Sequence, residues 1–114
     1  MKVLKMGFPF VVLVAALALV SVALATRPRR DYAELGLGED SARGSTGDDE
    51  ERGGPGSDYL NGGPGEDELF GGAGKDELHA DDGDFDVVNC GAGSDVATAD
   101  RGDRVLNCER VHRS

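Results

Sequence analysis

The sequence predicts an all-β protein, a parallel β-roll (β-solenoid) of Gly/Asp-rich nonapeptide repeats behind an N-terminal signal or hydrophobic helix. Three observations predict it. GGPGEDELF at 62–70 and GGAGKDELH at 71–79 repeat one nine-residue pattern. That pattern, Gly-Gly-x-Gly-x-Asp-x-apolar-x, can be laid from Leu35 through five consecutive blocks without a gap. No 3.6-residue stripe competes with it, and glycine every few residues opposes helix.

The first 25 residues stand apart. Lys2 and Lys5 precede an apolar run from Gly7 to Val20 broken only by Pro9, and Ala23-Leu24-Ala25 closes it. This is the build of a secretory signal peptide cleaved after Ala25. A membrane anchor is the alternative, because Met6 to Ala25 nears the length that spans a bilayer and Arg27, Arg29 and Arg30 follow it. Either reading puts the remainder outside the cytoplasm, extracellular or held at the outer face of a membrane. Residues 26–34, TRPRRDYAE, read as a solvated linker, 35–108 as the repeat region with 53–79 its best part, and 109–114 as a tail.

The 114-residue chain carries a formal charge of −10. Without residues 1–25, which hold two lysines and no acid, 22 acids face 10 bases. Such a chain does not bind nucleic acid or an anionic membrane by charge; it attracts cations. An unstructured acidic linker would share this composition but would not confine Leu to one position in nine.

The repeat fixes three kinds of position. Slot four is Gly38, Gly47, Gly56, Gly65 and Gly74, and slot six is Asp40, Asp49, Asp58, Asp67 and Asp76. Slot eight is apolar, as Ala42, Leu60, Leu69, Leu78, Val88, Ala97 and about Val105, except for Glu51, a misfit that predicts fraying of the first two blocks. Block 80–89 is ten residues long and puts Asp86 and Val88 in slots six and eight; 90–98 recovers the template and 99–107 degrades it. Glycines in series make a tight turn that leaves carbonyls open, and an Asp closing the turn can aim a carboxylate inward. Turn plus a three-residue strand makes half a coil, so two blocks make one coil, and coils stack at about 4.8 Å. Between stacked turns lies an oxygen-only cage, flexible and many-liganded, which suits Ca²⁺ better than Mg²⁺ or a softer metal.

GGPGSDYLN (53–61), GGPGEDELF and GGAGKDELH resemble the nonapeptide repeats of RTX (haemolysin-type) calcium-binding proteins. The resemblance covers most of residues 35–107 and implies a β-roll with calcium between its turns. It implies block pairs 44–52 with 62–70, 53–61 with 71–79, and 62–70 with 80–89. The expected ligands are Asp58 with Asp76, completed by the carbonyls of Gly54, Gly56, Gly72 and Gly74. Asp67 with Asp86 and Asp49 with Asp67 follow, with Gly63 and Gly65 in the shared turn; Asp40 with Asp58 is the weakest pair. In such a roll Cys90 and Cys108, 18 residues apart, lie one above the other and form a disulfide that staples the last coil.

The remaining motifs carry little. DDGDFDVVN (81–89) alternates acids like an EF-hand loop but has Val87 at the obligatory glycine. GGPG and GGAG lack the Gly-Lys-Ser/Thr of a phosphate loop. No nucleophile–base pair is recognisable, so no enzyme is expected. The functional expectation is an exported calcium-binding protein that folds on the ion. The alternative is calcium-dependent interaction with cell-surface or extracellular matrix components.

Overall fold

The computed structural model describes residues 10–13, 19–23 and 31–114, with side chains from Tyr32 onward. The expected leader of residues 1–25 falls mostly outside them. Its described pieces are strands β1 (Phe10–Leu13) and β2 (Leu19–Ala23), and the described residues contain no helix.

Ten further strands follow: β3 (Asp31–Glu34), β4 (Glu39–Arg43), β5 (Glu50–Arg52), β6 (Tyr59–Asn61), β7 (Glu68–Gly74) and β8 (Glu77–Ala80), then β9 (Val87–Gly93), β10 (Val96–Ala99), β11 (Arg104–Leu106) and β12 (Arg110–Arg113). They alternate between two six-stranded sheets, β1-β3-β5-β7-β9-β11 and β2-β4-β6-β8-β10-β12. All pairing is parallel. Glu50 lies beside Glu68 and Tyr59 beside Glu77, which is the eighteen-residue step of one coil. The insertion in block 80–89 widens the step, so Glu68 meets Val87; the next coil narrows it, Val87 meeting Arg104.

Slot eight builds the core. Ala33, Leu69 and Val88 from one sheet face Ala42, Leu60, Leu78 and Ala97 from the other, all fully buried. The side-chain period of two puts slots seven and nine outside. There Arg52 lies over the Phe70 ring, 4.5 Å from its centroid, and the Tyr59 and His79 rings are 5.0 Å apart.

The structure extends the expected limits of the roll. Residues 35–52 are wound into it as β4 and β5. Glu51 does not fray its coil: it stands fully buried in the apolar column between Ala33 and Leu69. Residues 31–34, expected as linker, form β3, which pairs with β5. Residues 110–113, expected as tail, form β12, which pairs with β10.

The turns stack backbone on backbone. Gly56 donates its N–H to the carbonyl of Ala73, and Gly47 to that of Pro64, one coil on. At Gly74 the backbone is left-handed, φ 125°, and an added Cβ would collide with the Gly56 carbonyl oxygen. Gly83, φ 98°, faces open space instead. Gly83→Ala therefore costs the backbone strain alone, about 1–2 kcal/mol. Gly74→Ala adds a clash between coils and should cost roughly twice that or more in denaturant unfolding of the oxidised chain. Equal losses at the two positions would contradict the stacking.

Cys90, fully buried, and Cys108 form the disulfide with Cα atoms 5.1 Å apart, and no free cysteine remains. It ties β9 to the segment after β11. Closing a loop of this length is worth about 3 kcal/mol against the unfolded chain. Reduction should lower the unfolding midpoint accordingly, and an unchanged midpoint would remove the staple from the account.

Candidate metal centre

Each slot-six Asp closes a glycine turn, so its carboxylate points between the two sheets at the rim of the core. The structure joins these acids into two ladders. The main-chain N–H of Asp40 donates to Oδ1 of Asp58 (3.0 Å), Asp58 to Asp76 (2.9 Å) and Asp76 to Asp95 (2.8 Å). On the opposite edge Asp49 donates to Oδ1 of Asp67 (2.7 Å), Asp67 to Asp86 (2.7 Å) and Asp86 to Asp103 (3.0 Å). Glu109 takes the place of a further Asp, accepting from the Asp95 N–H at 2.7 Å. Main-chain bonds run beside each ladder, from Glu77 to the Asp58 carbonyl and from Glu68 to that of Asp49.

These hydrogen bonds use only one oxygen of each carboxylate. The other, Oδ2, is buried without a partner on Asp58, Asp67, Asp76, Asp86 and Asp95, and both oxygens are so on Asp40. Where the free oxygen sits explains the slot-one glycine, whose φ is ordinary. A Cβ on Gly53 would stand 2.5 Å from Asp58 Oδ2 and 2.7 Å from the Gly71 carbonyl oxygen. A Cβ on Gly71 would stand 2.6 Å from both Asp76 Oδ2 and the Cys90 carbonyl oxygen. Gly44 holds the corresponding space beside the Gly62 carbonyl and Asp49 Oδ2, which here accepts from the Ser45 N–H. A carboxylate oxygen and a carbonyl oxygen from successive coils thus share a cradle that any side chain would fill.

All the expected acids, Asp49, Asp58, Asp67, Asp76 and Asp86, lie in the ladders, and Asp40 joins them as a donor at one end. The carbonyls found beside the free carboxylate oxygens belong to slot one, at Gly71 and Cys90. The expected glycines, Gly54, Gly56, Gly63, Gly65, Gly72 and Gly74, have left-handed backbones and stack on carbonyls of the coil before. Sequence reasoning missed Asp95, although CGAGSDVAT puts it in slot six, and Asp103, hidden by the shortened coil. It also missed Asp82, from the inserted turn, one of whose oxygens lies with one each from Asp67 and Asp86 within 4.8 Å of one another.

Burial without a counter-charge raises the carboxyl pKa values, as an ionised group loses its water. Burial is the largest cause throughout, and the donated N–H of the neighbouring Asp opposes it. Adjacent carboxylates add to the rise. Asp58 and Asp86 are pushed up to about 7, Asp67 to about 8 and Asp76 to about 6. Burial and then the charges of Asp49 and Asp67 push Glu51 well above the usual range.

An all-β parallel solenoid, thin-cored and lined along both edges by carboxylates and carbonyls in stacked glycine turns, is the architecture of a hard-cation-binding roll. Residues 52–84 match the family model described as the RTX calcium-binding nonapeptide repeat (4 copies), so this stretch carries RTX repeats. No curated protein and no solved structure matches the chain.

The donors fit calcium: they are oxygens only, several are buried and unpartnered, and they come in carboxylate–carbonyl pairs. In the absence of a cation, the raised pKa values mean that the folded chain binds protons more tightly than the unfolded chain. That contribution is complete below the ordinary carboxyl pKa of about 4 and is lost as pH rises through about 6–8. In chelator, sheet content by circular dichroism should therefore be greater at pH 5 than at pH 8.5. In millimolar calcium, which requires ionised carboxylates, the order should reverse. A chelated chain equally ordered at both pH values would contradict this.

Proposed function

We propose that the protein is an exported calcium-binding protein whose roll folds as calcium enters between its turns. The observation that carries this is the pair of Asp ladders, in which Asp58, Asp67, Asp76, Asp86 and Asp95 keep a buried Oδ2 without a partner, that of Asp58 and of Asp76 beside a carbonyl of the next coil. Asp58, Asp76, Asp67, Asp49 and Asp86 would hold the ions, together with Asp95 and the main-chain carbonyls of Gly71, Gly62 and Cys90. The ion supplies positive charge where stacked carboxylates otherwise repel, and it links successive coils.

Folding on binding follows from the shortness of the core. One column of small and branched aliphatic residues per sheet, with Glu51 inside it, gives little burial per coil. Cation binding is then a large share of the folding free energy. Export is supported by the leader-like first 25 residues and by the disulfide, which persists in an oxidising compartment. A structural and ion-binding role, without catalysis, agrees with the repeat family. The oxygen cages account for the buried acids without any reaction.

Titrating the purified, oxidised chain with calcium tests the reading. Heat of binding and gain of parallel sheet should develop together, with magnesium much less effective. Asp76→Asn removes one cage carboxylate while preserving its shape and should weaken calcium binding about ten-fold or more. Neither heat nor sheet at millimolar calcium would refute the proposal.

A further inference from the structure

The turn of block 80–89 differs from the turns of the regular repeats. There the left-handed glycines lie against a carbonyl of the adjacent coil, whereas Gly83, like Gly102 in the degenerate block that follows, meets nothing within contact distance. The extra residue lets the turn bulge away from the stack, and side chains replace the lost main-chain contacts. Gly65 N–H, which by the pattern of Gly47 and Gly56 would reach a main-chain carbonyl, donates instead to Oδ2 of Asp84 (3.0 Å). Asp84 N–H donates to Oδ1 of Asp82 (2.9 Å), and Gly83 N–H to Oδ2 of Asp100 (2.6 Å). This folds the exposed Asp82 back over the ladder.

The result is a third carboxylate beside the Asp67–Asp86 pair. One oxygen each of Asp67, Asp82 and Asp86 lie within 4.8 Å of one another. Two of these acids are at least 99% buried, Asp67 being 1% and Asp86 0% exposed, and each keeps Oδ2 without a partner. Unpartnered buried oxygens facing a third carboxylate are costly unless a cation joins them.

We propose that the inserted residue turns the Asp67–Asp86 position into a three-carboxylate cation site, with Asp82 a direct ligand, and that this is the tightest calcium site of the roll. The inference rests on the calcium reading above and adds to it which site dominates and why. Calcium affinity in oxygen sites rises with the number of charged ligands, and a third carboxylate favours cations of higher charge still more. The same site therefore takes the first equivalent of a trivalent lanthanide.

Two measurements test it. In calcorimetric terms, calcium titrations compare the oxidised chain with Asp82→Asn, which keeps the Oδ1 acceptor for Asp84, and with Asp81→Asn, which removes the same charge from the adjacent exposed residue. Asp82→Asn should weaken the tightest class of site about ten-fold or more. Asp81→Asn should weaken it by no more than about three-fold, as for a screened surface charge. Equal losses in both variants, or none in either, overturn the proposal. The second measurement needs no variant: Eu³⁺ at one equivalent on the unaltered chain has an excitation line whose wavelength tracks the number of coordinated carboxylates. A line at the three-carboxylate position supports the site, and one at the two-carboxylate position overturns it. If the unaltered chain binds no calcium, the calcium reading fails as well; if it binds calcium and Asp82→Asn leaves the affinity intact, only the third ligand is lost.

Discussion

The structure depends on one repeated contact, the hydrogen bond from an Asp main-chain N–H to Oδ1 of the Asp one coil further on. It fixes the rotamer of the accepting side chain and the height of one turn above the next. It also divides the carboxylate's labour, since Oδ1 serves the fold and Oδ2 is left to face a carbonyl. Asp58, Asp67, Asp76 and Asp86 are each both donor and acceptor in this contact, so turn geometry is copied along each edge. The ladder and the cation cage are thus one arrangement, and the conditions that fill the cage are those under which the ladder's charge is tolerable.

Packing takes a subordinate part. Leu60, Leu69 and Leu78 are fully buried, but the columns they share also hold Ala33, Ala42 and Ala97. Such a core keeps two sheets together and sets which face of each strand turns inward. It does not set the register along the stack, which comes from the turns: carbonyls lie on glycines where a methyl group would not fit. Glu51 is tolerated because it sits beside the rim, where Asp49 and Asp67 already make the interior polar, although their charge favours its protonated form.

Much of this was legible in the residues. The nine-residue phase identified the turns, the inward column and the eighteen-residue coil, and slot six named most of the ladder. The role of slot one was not legible, since a glycine kept for space looks like one kept for a left-handed backbone; only the position of Asp58 Oδ2 against Gly53 separates them. DYAE keeps only the Asp-x-apolar-x half of a repeat, with Ala33 in the core column, and RVHR resembles none; they form β3 and β12 because main-chain groups on a neighbouring strand recruit almost any sequence. Asp103 was hidden by a shortened coil that compensates the insertion before it, and Asp82 by a turn whose path depends on how it leaves the stack.

The outer columns show what it means for a block to be half a coil. Arg52 meets Phe70 on one sheet and Tyr59 meets His79 on the other, each pair two blocks apart. Loss or duplication of a single block would preserve the spacing of turns while exchanging the sheets for everything beyond it, and would bring strangers together on both outer faces. Duplication of two blocks would leave each face in order. The unit of inheritance for such a surface is therefore the pair of blocks, and a roll of this kind can lengthen by whole coils while keeping two distinct exteriors.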